Sequence, residues 1–223
     1  MPTICLSLFW IIFSYILGSF PSGYILTKLS SRKNILEIGW RKTSGSNVFK
    51  NIGVWQGILT ALLDVGKGYL AVYLASYLNL PPYIQALSGA AAVTGHNWSC
   101  FLKLAGGRGV GTLAGALWTL SPQILQLSII PFLIIALLWN ASISTIIFLI
   151  TSIVLAVKFN QFETVGILIS VSLLPIFIKR LSPVNEISSS YNKAELIKNR
   201  LIFDNDKPSG LRIKRIIKGL GWW

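Results

Sequence analysis

The chain has 223 residues, of which 53% are hydrophobic and only 12% are charged, whereas soluble domains average about 25% charged residues. The formal net charge of +13 is concentrated in residues 28–50 and 179–223, and long apolar runs fill most of the remaining chain. This distribution argues against nucleic-acid binding, and against a β-barrel, which would need short alternating segments. We therefore predict an all-α, polytopic membrane protein.

In chain order, the apolar segments predict seven membrane-spanning helices over residues 3–28, 53–80, 83–100, 109–121, 123–139, 143–157 and 162–178. Because basic residues follow the first segment, the positive-inside rule places the N-terminus outside and the C-terminus in the cytoplasm. Residues 1–180 are predicted to form one seven-helix membrane domain, and residues 181–223 a basic cytoplasmic tail. The end of that tail, residues 211–223, alternates basic and apolar side chains and is typical of an interfacial amphipathic segment.

The first segment carries the sequence GSFPSGYILTKL over residues 18–29. Pro21 lacks an N–H group and is predicted to bend or break the helix. Close packing between membrane helices is the simpler interpretation of the small residues around it, namely Gly18, Ser19, Ser22 and Gly23. Ser19 is also a candidate substrate-binding residue.

The loop over residues 30–52 combines basic side chains with the run Thr-Ser-Gly-Ser-Asn at residues 43–47. A solvated cytoplasmic loop explains the charges. It does not explain the dense run of hydroxyl and amide groups, which can donate hydrogen bonds to a phosphate. The candidate substrate-binding residues of this loop are Gly39, Arg41, Lys42, Ser44, Ser46, Asn47 and Lys50.

The second segment contains two opposite charges, Asp64 and Lys67, which are three residues apart and therefore lie on one helix face. At a rise of about 1.5 Å per residue, Asp64 lies ~16 Å into the segment. Charges at that depth are costly and normally face a bundle interior or a polar cavity. Two interpretations stay open, a self-paired structural ion pair and the lining of a substrate site.

The most distinctive stretch is GHNWSCFLKLAGGRGVGT, residues 95–112, which holds the single histidine of the chain, His96. Glycines let backbone N–H groups approach an anion, and the N-terminus of the next helix faces the same place. A phosphate site is predicted here, and a plain helix–turn–helix connection with topology-setting charges is the alternative. The candidate residues are Gly95, His96, Asn97, Lys103, Gly106, Gly107, Arg108, Gly109 and Thr112.

Neither a disulfide framework nor a metal site is predicted. The chain has two cysteines, Cys5 and Cys100, which lie near opposite faces in the predicted topology. It contains neither a CxxC motif nor a histidine cluster, and these are the usual sequence signs of a metal site.

Together these stretches resemble the bacterial acyl-phosphate:glycerol-3-phosphate acyltransferases, the PlsY family. The second signature of that family is matched at Gly95, His96, Phe101, Gly106, Gly107, Gly109, Val110 and Thr112. The sequence LDVGKG at residues 63–68 is similar to the family's Leu-Asp-x-x-Lys-Gly. The basic loop is similar to the first signature at Gly39, Asn47 and Val48. The resemblance covers residues 18–112 and implies the family's seven-helix membrane fold.

The chain departs from the family's pattern at several positions. Trp40 stands in place of a serine, Lys42 of an asparagine, Lys50 of an arginine and Arg108 of a lysine. The third, C-terminal signature is echoed only by IKRIIKG at residues 213–219, without the preceding histidine. These departures leave open a divergent site, a changed substrate and an inactive homologue.

The resemblance implies acyl transfer from an acyl phosphate to the 1-hydroxyl of sn-glycerol 3-phosphate, giving 1-acylglycerol 3-phosphate for phospholipid synthesis. It implies a multi-pass enzyme of the cell membrane that needs no cofactor, faces the cytoplasm with its active site, and is linked to the enzyme that forms acyl phosphate. The family's chemistry is substrate-assisted, so that a phosphate oxygen accepts the proton.

In this interpretation two loops cradle two phosphates. Gly106–Gly109 with Lys103 and Arg108 would hold one, and residues 43–47 with Arg41, Lys42 and Lys50 the other. The candidate catalytic residues are His96, Asn47 and Arg108. Asp64 and Lys67 complete the predicted substrate-binding set, although His96 is alternatively a structural residue at a helix end.

Two rival functions use the same basic residues. An acyl-CoA-dependent acyltransferase would need a His-x-x-x-x-Asp dyad, but the residue five positions after His96 is Phe101. A transporter or channel for small phosphorylated or anionic solutes would need a similar cavity, although no inverted repeat supports it.

Overall fold

The computed structural model describes residues 2–203 and residue 206, and every regular element in this part of the chain is helical. The α-helices are α1 Pro2–Ser19, α2 Ser22–Ser31, α3 Gly45–Asn51, α4 Val54–Tyr77, α5 Pro82–Asn97, α6 Val110–Leu120, α7 Pro122–Leu138, α8 Ala141–Lys158, α9 Ile167–Leu181, α10 Val184–Ser189 and α11 Lys193–Phe203. Short 3-10 turns lie at Ile35–Glu37 and Cys100–Leu102, and a π-helical turn lies at Phe162–Gly166. The predicted all-α class is confirmed.

A helix lies in each of the seven predicted segments, but their lengths differ. Within residues 2–203, four helical stretches are long and apolar enough to cross a membrane: Ile4–Ser31, Val54–Tyr77, Ala141–Lys158 and Phe162–Leu181. The apolar helices α6 and α7 are shorter, and α5 has 16 residues. A straight helix needs about 20 residues to cross the hydrocarbon core.

The predicted interruption at Pro21 is confirmed. Helix α1 ends at Ser19 and α2 begins at Ser22. The Phe20 carbonyl oxygen accepts hydrogen bonds from the Ser22 backbone N–H at 3.0 Å and from Lys67 Nζ of α4 at 3.1 Å. A carbonyl at a helix break lacks its helical partner, and the hydrogen bond from Lys67 ties α4 to the junction between α1 and α2.

Close glycine contacts hold α4 against α6 and α1 against α5. A Cβ atom on Gly115 of α6 would lie 1.9 Å from the Val65 carbonyl oxygen of α4, and one on Gly18 of α1 would lie 2.1 Å from the Ala92 carbonyl oxygen of α5. Between membrane helices such close approach contributes stability through van der Waals packing. These contacts set the positions of the end of α5 and the start of α6, which flank the glycine-rich stretch.

Replacing Gly115 with alanine is expected to lower the free energy of unfolding by roughly 1–3 kcal/mol, because the added methyl group overlaps backbone and not a movable side chain. Thermal unfolding of the purified protein in detergent measures the change. Gly66→Ala is the matched control, since a Cβ at Gly66 meets no atom within 4 Å. Equal unfolding midpoints for the two variants would contradict this account of the packing.

The C-terminal helices close one side of the bundle. Phe148 of α8 and Leu168 of α9 are buried in the core that α4–α9 share, and α11 packs against α8 and α9. Helix α9 continues to Leu181, past its predicted end at residue 178. The extension carries Lys179 and Arg180 to the same end of the bundle as the glycine-rich stretch.

Candidate active site

A cavity of about 390 Å³ lies between the loop at residues 39–42, the loop at residues 103–108 and the C-terminal end of α9. Its lining includes seven cationic side chains, those of Arg41, Lys42, Lys103, Arg108, Lys179, Arg180 and Arg200. Among the lining residues that the structure describes, Asp206 is the only acidic one. This concentration of positive charge suits a phosphorylated ligand.

The loop at residues 39–42 is held in shape by Asn47. The Asn47 Oδ1 atom accepts a hydrogen bond from the Trp40 backbone N–H at 3.1 Å, and its Nδ2 atom donates to the Lys42 carbonyl at 2.8 Å and the Ile38 carbonyl at 3.1 Å. Gly39 adopts φ +58° directly before Trp40, a conformation that glycine takes without steric cost. The described contacts of Asn47 are therefore those of a residue that positions the loop, and its catalytic role stays a prediction.

The glycine-rich loop lies directly over the imidazole of His96. The Gly107 N–H donates to the His96 carbonyl at 3.0 Å. A Cβ atom on Gly107 would lie only 2.0 Å from His96 Nε2, so the ring packs against bare backbone. The Thr43 N–H donates to the Gly106 carbonyl at 3.3 Å, which joins the two predicted phosphate loops along one wall of the cavity.

Beneath this loop lies a buried polar cluster centred on Asp64. Its Oδ1 atom accepts a hydrogen bond from Ser22 Oγ at 2.7 Å, pairs with Lys67 Nζ at 3.0 Å and lies 3.4 Å from His96 Nδ1. The last contact is longer than a normal hydrogen bond. Asp64 and Lys67 thus form an ion pair, and Asp64 also contacts the one histidine of the chain.

Two lysines connect the cavity walls to one another. Lys42 Nζ donates to the Lys179 carbonyl at 2.9 Å and reaches the Ser182 carbonyl at 3.5 Å, and Lys179 Nζ donates to the Leu104 carbonyl at 3.3 Å. A cation at the C-terminal end of α9 also interacts favourably with the helix dipole. The last turn of α9, which lies beyond the predicted end of the seventh segment at residue 178, therefore lines the cavity.

Residues after α9 form a further wall. Arg200 of α11 donates to the Leu181 carbonyl at 2.9 Å and the Pro183 carbonyl at 2.8 Å, and to Asp206 Oδ1 at 2.7 Å. Glu186 pairs with Arg200 and lies 3.6 Å from Arg41 on the loop at residues 39–42. This network fixes α10 and α11 against the cavity.

The structure separates the predicted site residues by position. Those that line the cavity are Gly39, Arg41, Lys42, Lys103, Gly106 and Arg108. Those that lie outside this lining are Asn47, Asp64, Lys67, Gly95, His96, Gly107 and Gly109. A Cβ atom on Gly95 would lie 2.1 Å from the Tyr15 carbonyl oxygen, and one on Gly109 would lie 2.8 Å from Asn97 Oδ1. The buried residues Ser19 and Asn97 bond to the carbonyls of Tyr15 and Pro175, and Thr112 is buried. Ser44 and Ser46 lie at the start of α3, with their hydroxyl oxygens 3.4 Å apart.

Several residues that line the cavity were not predicted from the sequence as site residues. They are Trp40, Leu104, Ala105, Lys179, Arg180, Ser182, Pro183, Arg200 and Asp206. The Lys-Arg pair at the end of an apolar helix is the pattern that could have identified Lys179 and Arg180. The predicted amphipathic segment 211–223 and the echo of the third signature at residues 213–219 lie outside the described residues.

The chain is similar to known proteins over most of its length. A family model described as glycerol-3-phosphate acyltransferase matches residues 8–187. A glycerol-3-phosphate acyltransferase of Endomicrobium trichonymphae is 31% identical over 200 residues, which are 87% of this chain and 99% of that protein. One from Prochlorococcus marinus (strain MIT 9312) is 35% identical over 122 residues, and there the chain spans only 62% of the relative's length.

Two solved structures share the fold. They are crystal structures of PlsY, an integral membrane glycerol 3-phosphate acyltransferase, in a glycerol 3-phosphate form and a lysophosphatidic acid form, with TM-scores of 0.71 and 0.69. Each is 24% identical in sequence, and the match covers 82% of this chain and 92% of that chain. The architecture is therefore that of an all-α, multi-pass integral membrane protein. With the family match over residues 8–187, these findings show that the chain belongs to the PlsY family of glycerol-3-phosphate acyltransferases.

Proposed function

We propose that this protein transfers the acyl group of an acyl phosphate to the 1-hydroxyl of sn-glycerol 3-phosphate, giving 1-acylglycerol 3-phosphate (lysophosphatidate). The observation that carries the proposal is the cavity beside the glycine-rich loop, whose described lining contains seven cations and one acid. Both substrates bring a phosphate to one site, which therefore needs fixed positive charge. The glycerol 3-phosphate and lysophosphatidic acid forms of PlsY support the same substrate and product.

In the proposed reaction the 1-hydroxyl oxygen attacks the acyl carbonyl carbon. A new C–O ester bond forms, the bond from that carbon to the phosphate oxygen breaks, and inorganic phosphate leaves carrying the hydroxyl proton. Because the acyl phosphate is already activated, no protein nucleophile is required. Arg108 and its neighbouring cations stabilise the leaving phosphate and the developing oxyanion, while His96 supports the glycine-rich loop from below.

The proposal includes an orientation in the membrane. Seven crossings with the N-terminus outside put both cavity loops and the end of α9 in the cytoplasm, in keeping with the positive-inside rule. Residues 1–180 then form the membrane domain, and residues 181–223 form the cytoplasmic tail that supplies Arg200 and Asp206 to the cavity. Acyl phosphate would come from the enzyme that forms it.

The proposal is tested by giving the purified protein long-chain acyl phosphate and labelled glycerol 3-phosphate, with acyl-CoA as the donor in parallel reactions. We expect labelled lysophosphatidate with acyl phosphate alone. Arg108→Ala is expected to lower kcat/KM by about tenfold or more, because a charge-assisted contact to phosphate is lost.

Each other outcome contradicts the proposal in its own way. Product from acyl-CoA alone would assign the other donor class. Folded protein that makes no product from either donor would not be this enzyme. Uptake of labelled glycerol 3-phosphate into sealed vesicles would then identify a transporter, and binding without product or flux an inactive homologue.

A further inference from the structure

The indole of Trp40, which lines the basic cavity, contacts two cations. Arg108 Cζ lies 5.0 Å from the ring centroid and Lys50 Nζ lies 5.2 Å from it. Both distances are within the range of a cation–π interaction, for which tryptophan is the best aromatic partner. Trp40 and Arg108 line the cavity together, whereas Lys50 is exposed and outside the lining.

Hydrogen bonds hold the backbone of Trp40 in place. The Trp40 backbone N–H donates to Asn47 Oδ1 at 3.1 Å, and Asn51 Nδ2 donates to the same oxygen at 2.8 Å. Gly39 and Arg41, on either side of Trp40, have φ of +58° and +54°. A Cβ on Gly39 would lie 2.4 Å from Asn47 Oδ1. The backbone of the loop at residues 39–42 therefore has little freedom to move, and it fixes the position from which the indole extends.

We propose that Trp40 is a positioning residue that holds the guanidinium of Arg108 toward the phosphate of a substrate. A planar, weakly hydrated guanidinium stacks on an aromatic face more favourably than an ammonium does. The ring also restricts the rotamers of the long Arg108 side chain. The inference rests on the proposed function.

A double-mutant cycle tests the contact. The variants are W40F, which keeps an aromatic ring, W40L, which keeps apolar volume without one, R108K, and the double variant W40L/R108K. Each is measured for the KM of both substrates, for kcat, and for the Kd of glycerol 3-phosphate and inorganic phosphate by calorimetry. W118L is the matched control, because Trp118 is an exposed residue of α6 outside the cavity.

We expect W40L to raise KM and Kd by about tenfold and W40F by less than about threefold, with kcat little changed. In the R108K background, W40L is expected to cost less than about threefold, because the ring has lost the planar group that it positions. Unfolding midpoints of W40F and W118L show whether loss of fold contributes.

Two results would overturn the inference: an equal effect of W40L in both backgrounds, or no binding of either phosphate ligand by the wild-type protein. The proposed function fails separately. Coupled phosphate binding without lysophosphatidate would contradict the reaction and leave the role of Trp40 intact. Turnover without coupling between Trp40 and Arg108 would support the reaction and contradict the role of Trp40.

Discussion

A Gly107→Ala variant is expected to lose about a hundredfold in kcat/KM while it keeps its helices. A Cβ at this position would lie 2.0 Å from His96 Nε2 and 2.7 Å from Cε1. Neither partner can withdraw easily, because the Gly107 N–H bonds to the His96 carbonyl at 3.0 Å and the imidazole is buried against Asp64. The methyl group must displace the ring or the loop, and a misplacement of about 1 Å at a reacting site costs roughly 10²-fold in rate.

Gly111→Ala is the matched control, since it places the same methyl group in the same glycine-rich stretch. A Cβ on Gly111 would meet its nearest atom, Asp64 Cβ, at 3.4 Å, which is ordinary contact. Alanine also favours the first turns of α6 over glycine. We expect kcat/KM within about threefold of the wild-type value. If the two variants have equal kcat/KM and similar unfolding midpoints, the imidazole has no part in shaping the loop.

The helices could be predicted from the sequence because their ends carry local markers. Pro21 interrupts the first segment, Pro81 precedes α5 and Pro82 begins it, and Asn140 caps α8 by accepting hydrogen bonds from the Ser142 and Ile143 N–H groups. The number of membrane crossings cannot be read from such markers, since α6 has only 11 residues. Whether a short helix crosses depends on tilt and on packing against neighbouring helices.

The site was only partly predictable, for a related reason. The spacing of Asp64 and Lys67 on one helix predicts their pairing, but their contact with His96 joins α4 to α5 and depends on tertiary packing. For Lys42, the sequence suggests a partner that differs from the one in the structure. Its charge suggests a phosphate ligand, yet its ammonium donates to the Lys179 carbonyl at the end of α9. Composition and spacing identify which side chains are costly to bury, whereas the partner that each finds is set by the fold.

Replacing Asp64 with asparagine is expected to lower the free energy of unfolding by about 3–5 kcal/mol, because the Lys67 ammonium would remain buried without its counter-charge. The two side chains are 6% exposed and that of His96 is 4% exposed, so water cannot replace the lost charge. Thermal unfolding in detergent measures the effect. The double variant Asp64→Asn/Lys67→Met, which removes both charges, is expected to recover part of the loss. A double variant no more stable than Asp64→Asn would show that the ion pair is not its cause.

The same two variants separate a structural ion pair from a pair that serves the site. If Asp64 and Lys67 only support the fold, the double variant will keep the wild-type kcat once it is folded. We expect kcat to stay about tenfold or more below the wild-type value. The reason is that one atom, Asp64 Oδ1, meets Ser22, Lys67 and His96. Once its charge is removed, the ring under the glycine-rich loop lies beside a neutral amide instead of a carboxylate, even where the global fold is regained. A double variant with wild-type kcat per folded molecule would leave Asp64 and Lys67 as structural residues alone.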